Sequence, residues 1–247
     1  MGIKTQTGFT IIETMLFLAV TGMLATAILV GSGVAIGQQR YRDSVNSIKS
    51  YVQQQYSDVT NVVNSRDKAW TCDANGNVIQ ADATGGEARG TTDCVLLGRL
   101  MTVDNTGTKL TTSNVIGYKA PDAGTAVSDI LELTTNYKLT ASPIDQDNTD
   151  ISWGAQVVKQ KTTSPMPFSM LIIRSPLSGA VMTFTAEGSQ IDLSALITSA
   201  NMTQKRDLCV NADAGSFVGR RLEVSIDAFA TNQGAVQIPP ESSSVCD

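Results

Sequence analysis

Glu13 is the first acidic residue of the chain, and it stands at the mouth of an apolar run. A carboxylate there is physically awkward. A charge at the centre of a membrane helix lies roughly 2.5–3.5 kcal/mol uphill, and less near an interface. Something should compensate Glu13, and the identity of that partner is the functional question. Other residues with chemical potential are Cys72, Cys94, Cys209 and Cys246, and two oxygen-rich segments, Asp73-Ala-Asn75-Gly-Asn77 and Asp145-Gln-Asp147-Asn-Thr-Asp150. An EF-hand loop needs Gly at its sixth position and Glu at its twelfth. Neither segment has both, so solvated loops are expected and no metal site is assigned. The chain has no His, which removes His-containing triads, His metal sites and the commonest general base. No phosphate-binding or dinucleotide-binding glycine motif occurs. The chain reads as a non-enzyme without a cofactor.

The element that carries Glu13 is long enough to cross a bilayer. The 24 residues Thr14–Gly37 contain no Asp, Glu, Lys or Arg, and a span needs about 20 apolar residues at about 1.5 Å each. The run exceeds the apolar region of an ordinary secretory signal, and no small-x-small cleavage site follows it. Small residues line it: Gly33-Val-Ala-Ile-Gly37 is a GxxxG pattern, and Ala19, Gly22 and Thr26 form a second row. Such rows let helix backbones approach closely in lipid.

A short polar leader ending in Gly8, then Phe9-Thr-x-x-Glu13, then an apolar helix, resembles the prepilin signature of type IV pilins and type II secretion pseudopilins. The resemblance covers residues 1 to about 64. It implies that a membrane prepilin peptidase cuts between Gly8 and Phe9 and N-methylates Phe9. It also implies that Glu13 pairs with the Phe9 amine of a neighbouring subunit during assembly. That pairing would supply the compensation, because a buried charge left without a partner is the costly case. The implied partners are other pilin subunits in a homo- or hetero-polymer, the peptidase, an assembly platform with its ATPase, and the membrane. The implied location is a single-pass membrane protein with an extracytoplasmic head, later part of a pilus or pseudopilus at the cell surface. Counted by flanking cations the span points the other way, with Lys4 before it and Arg40, Arg42 and Lys49 after it. The leader signature sets the orientation here. The bland reading of Glu13 is an interfacial acid in a non-polymerising, single-span anchored binding domain or adhesin.

Beyond the span the pattern becomes amphipathic. Tyr41, Val45, Ile48, Val52, Val59 and Val62 recur at steps of three, four or seven, which predicts one buried stripe. No proline precedes Pro121, so one helix is expected over 9–64, membrane-embedded at about 14–37 and amphipathic at about 38–64. Glycines make residues 31–37 the expected site of any stretching during assembly.

Residues 65–247 should form the head, ample for one domain. Asn75-Gly76 suits a type I′ hairpin turn. Strands are expected at Val95–Val103, Phe168–Arg174, Ala180–Ala186, Leu208–Asn211 and Arg221–Asp227, the last with Leu222, Val224 and Ile226 inward. Ala126–Leu133 and Asp192–Ala200 read as short helices. The fold class is therefore α+β: a long N-terminal helix packed on an antiparallel β-sheet head, pilin-like. The four cysteines all follow the span and allow three pairings. Sequential pairing is the expected one because each bridge then closes a local, turn-rich loop; free buried thiols are the alternative. A bridge Cys209–Cys246 would also match the disulfide-tied C-terminal loop common in pilin heads. Bridges imply an oxidising compartment. The formal charge is −5, and loss of residues 1–8 would remove Lys4 and no acid. An acidic head argues against broad nucleic-acid binding, which usually shows as a basic patch.

Overall fold

The computed structural model describes residues 8, 10–61, 70–80, 93–144, 146–189, 192–212 and 220–246. Its axis is a single helix, α1 (Ile11–Thr60). At the standard rise its 50 residues span about 75 Å. Phe9 and residues 62–64, at the two ends of the expected helix, lie outside the described residues. The three threonines of the apolar half do not interrupt it. Thr14, Thr21 and Thr26 each donate their hydroxyl to a carbonyl three or four residues back, at 2.9 Å in the best case for each, so these three hydroxyls are satisfied within the helix in an apolar medium. The helix is also continuous through Gly31–Gly37.

The stripe predicted for the second half is the packed one. Tyr41, Val45, Ile48, Val52 and Val59 are buried, and Tyr56, Gln55 and Ser44 join them; Val62 lies outside the described residues. Burial pushes the Tyr56 phenol up to about 12, partly offset by its hydrogen bond with Thr183.

Among the described residues, twelve strands build the head: β1 (Trp70–Cys72), β2 (Val78–Gln80), β3 (Cys94–Val103), β4 (Lys109–Lys119), β5 (Tyr137–Ala141), β6 (Asp147–Asp150), β7 (Gln156–Val158), β8 (Phe168–Arg174), β9 (Val181–Glu187), β10 (Arg206–Asn211), β11 (Leu222–Ile226) and β12 (Val236–Gln237). All pairings are antiparallel. The main sheet runs β5-β4-β3-β8-β9, with β6 also on the β4 edge. A second sheet runs β12-β11-β10-β7, and β1-β2 stands apart. The arrangement is α+β and pilin-like, a long N-terminal helix packed against a curled antiparallel sheet. One core joins the α1 stripe to Met101, Phe168, Met170 and Ile172 of the main sheet and to Leu208, Val224 and Ile226 of the second. A second core lies on the other face of the main sheet, around Leu171, Ile173, Phe184 and Leu196. The ion pair of Arg99 on β3 with Asp58 on α1, 3.3 Å and largely shielded, ties the end of the helix to the sheet.

Several local expectations change. The β1–β2 turn is not type I′, which needs positive φ at both central residues. Only Gly76 has it (φ 80°), after a turn closed by its N–H to the Asp73 carbonyl. The helix expected over Asp192–Ala200 is two short ones, α3 (Leu193–Leu196) and α4 (Ser199–Met202). Ile197 turns into the core between them, and Thr198 starts the second as its N-cap. The Ala126–Leu133 helix is one turn, α2 (Asp129–Leu131), running into a π turn over Glu132–Asn136. Alternation on β11 does not hold: all five residues are buried, Glu223 and Ser225 included. A bulge in β3 at Leu96–Gly98 brings that strand against β8 so closely that a Cβ at Gly98 would collide with the Ile172 carbonyl.

Candidate functional site

The amino-terminal mouth of α1 combines the residues that the sequence singles out. Gly8 is exposed, Phe9 lies outside the described residues, and Thr10 is the N-cap, with extended backbone (φ −77°, ψ 151°). The Thr10 Oγ1 accepts the Glu13 N–H at 3.3 Å. Thr10-Ile-Ile-Glu13 therefore has the spacing of a capping box, a local role that the sequence reading did not assign although the T-x-x-E pattern was visible. The Glu13 carboxylate itself is exposed and has no hydrogen-bond or ion-pair partner among the described residues. Its place in the first turn puts it where the helix dipole favours an anion, by about 0.3–1 kcal/mol. That is smaller than the roughly 2.5–3.5 kcal/mol cost at the centre of a membrane. The helix alone compensates the acid in part.

The apolar half of α1 is bare. Ile12, Leu16, Leu24, Ile28 and Val30 are all exposed, and the segment is long and apolar enough to cross a membrane. A contiguous apolar surface of this kind exceeds the few hundred Å² that soluble monomers usually show. Nothing in the chain itself requires glycine at 22, 31 or 33: a Cβ at any of them would meet nothing within 4 Å. Space for a close neighbour is thus built into an uncovered surface.

The head is bolted to α1 where the bare half ends. Tyr41, 3 % exposed, donates to the Val210 carbonyl at 2.8 Å and accepts the Leu222 N–H at 2.6 Å. One phenol thereby bridges β10 and β11 at their last paired residues. Farther along, Tyr51 hydrogen-bonds Thr112 at 2.8 Å and Tyr56 meets Thr183 at 2.9 Å.

The cysteines pair sequentially, Cys72–Cys94 and Cys209–Cys246, with Cα–Cα distances of 6.2 and 5.5 Å. The first ties β1 to the start of β3. The second ties β10 to the C-terminal segment, which lies beside β11. There the buried Glu223 accepts the Val245 N–H at 2.9 Å and the Ser244 hydroxyl at 3.4 Å. Cys209, Glu223 and Cys246 place three potential metal-ligand atoms within 4.8 Å of one another. Both sulfurs are committed to the bridge, however, so no thiolate is on offer.

The oxygen-rich segments also have local roles. Asp73 accepts from Asn75 N–H and Asn77 N–H, each at 2.9 Å, and from the Asn77 side chain at 3.0 Å. These bonds hold its carboxyl below the ordinary range. Asp145 lies outside the described residues, and Asp147 accepts from Tyr51 at 3.3 Å. Sequence reasoning missed Glu132, which is buried on the π turn. The Lys119 ammonium at 2.7 Å, the Ala126 N–H and Asn136 hold its carboxyl down to about 2. It pins the 120–128 loop to the sheet.

No protein-family model, curated protein or solved structure matches this chain.

Proposed function

We propose that this protein is a structural subunit, a minor pilin or pseudopilin, of a type IV pilus-like filament. It would be processed after Gly8 by a prepilin peptidase, methylated on Phe9, and assembled through its N-terminal helix. The supporting observation is the bare, glycine-bearing apolar helix, whose acid sits in the first turn with its own helix compensating it only in part. Cleavage would create an amine on the neighbouring Phe9, and such an amine on an adjacent subunit would complete the pairing of Glu13. Processing and polymerisation would then be chemically linked. The chain would be the substrate of the peptidase and not a catalyst, and assembly would be powered by a separate ATPase and membrane platform.

The second reading, a single-span anchored binding domain or adhesin that never polymerises, is favoured by the place of Glu13 in the first turn, where the helix dipole gives the acid some compensation within its own helix. Two measurements separate the readings. Mass spectrometry of the native protein should find a mature chain beginning at N-methyl-Phe9; a retained Met1–Gly8 would sink the filament reading. Glu13→Val should abolish incorporation into filaments, while Thr10→Val, which removes only the cap, should weaken it little. The reverse order would make capping the function of this pair.

A further inference from the structure

We infer that the loop of residues 151–155 and Arg40 form a membrane-docking rim, on which Trp153 lies in the lipid headgroup layer and Arg40 binds lipid phosphate. The inference rests on α1 being the membrane anchor, and it concerns the head. Trp153 is 56 % exposed, as is Phe229 at 57 %, whereas Phe168 and Phe184 of the head are buried. The Trp153 backbone is left-handed, φ 60° and ψ 28°, which is an outlier for a bulky residue. Strain of this kind persists only where the surroundings impose it and concentrates at functional positions. The surroundings here are clear. Ile151 and Ala155 on either side are buried in the main core, and Ile151 N–H donates to the Thr108 carbonyl at 2.8 Å. Two anchors hold the loop down while its tip points out.

What the tip points at is set by α1. The Arg40 guanidinium lies over the Trp153 ring, 4.9 Å from its centre, and Arg40 has no acidic partner among the described residues. Arg40 is the first charged residue after the apolar span and follows Gly37 by three positions. Three residues rise about 4.5 Å, and the polar layer on each side of the hydrocarbon is about 5–7 Å deep. Arg40 and its ring therefore fall within that layer. The head begins at this level, since Gly37 and Gln38 are already half-buried while Ile36 is not. An indole with an apolar body and a polar edge, stacked on a cation, suits the membrane–water boundary.

The test uses the full chain reconstituted in vesicles of phosphatidylethanolamine and phosphatidylglycerol brominated either near the headgroups or at the chain ends. The chain has two tryptophans, so the difference between the native chain and Trp153→Phe isolates this ring, and Trp70→Phe reads it directly. Shallow bromines should quench Trp153 emission more than deep ones, and Arg40→Gln should reduce that loss. Equal quenching with and without Arg40 would remove Arg40 from the site. No quenching at either depth would overturn the docking, and so would protection of the ring that appears only on assembly, which would assign it to a neighbouring head. Leu24→Trp, in a chain lacking both native tryptophans, provides the control. If deep bromines quench it while Trp153 stays bright, the anchor stands and the rim falls. If it also stays bright, the anchor reading itself has failed.

Discussion

Replacing Tyr41 with Phe would remove one oxygen and keep the ring, yet it should be among the most damaging conservative changes in the head. The hydroxyl serves two backbone groups at once, the Val210 carbonyl and the Leu222 N–H. Tyr41, Val210 and the flanking Val45 are buried, so water does not readily replace it. An orphaned buried backbone group costs about 1–3 kcal/mol. Two such groups, less the relief of not burying the phenol oxygen, give a loss of about 2–4 kcal/mol. Tyr56→Phe is the internal control. Its hydroxyl meets only the rotatable Thr183 hydroxyl, so its loss should cost about 1 kcal/mol. Urea unfolding of the full chain in detergent reads the difference. With a slope of about 2 kcal/mol per molar, Tyr41→Phe should lower the midpoint by about 1–2 M. Hydrogen exchange should show the Leu222 amide losing protection selectively. A Tyr41→Phe midpoint equal to that of Tyr56→Phe, with Leu222 still protected, would refute the argument that this phenol joins β10 to β11.

Three further outcomes are expected. Cys209→Ala with Cys246→Ala opens a loop of 37 residues, and on the chain-entropy argument it should cost about 3–4 kcal/mol, read as a lower urea midpoint than in the native oxidised chain. Gly98→Ala should cost about 2–3 kcal/mol, because the clash is with backbone that cannot rotate away; an unchanged thermal midpoint would show that the bulge relaxes. Glu132 has its carboxyl lowered to about 2 by Lys119 and its neighbours. A lowered carboxylate contributes stability above its unfolded value of about 4.3 and loses it as pH falls toward the folded value. The native chain should therefore lose stability between about pH 4.5 and pH 2 more steeply than Glu132→Gln does, which parallel denaturation series would measure.

The long elements were legible because their periodicity had no competitor. The α1 stripe stands on apolar residues at helical spacing, and β8 reads as an apolar run closed by a Ser-Pro turn, so its predicted and observed limits coincide. β4 was not legible. Thr112, Ser113 and Asn114 are buried on its two faces, and consecutive polar residues look like loop when read alone. The same blindness hid Glu132 and Glu223, two buried acids whose partners are 13 and 22 residues away. Pairing of the cysteines is legible from loop length, and the T-x-x-E spacing of Thr10 and Glu13 carries the signal of the helix cap. Trp153 carried no sequence signal, since its exposure follows from two anchors in the core and not from its neighbours in the chain.

Because α1 is one uninterrupted rod from Ile11 to Thr60, the direction in which the head faces is a matter of counting. Glu13 and Tyr41 are 28 positions apart, which fixes about 42 Å of height and a definite angle around the axis. Each added residue between them would turn the head by about 100° and lift it by about 1.5 Å. The helix acts as an indexed shaft. Whatever seats the acid also aims the head, and an insertion near Gln38 would leave both ends intact while presenting the wrong face.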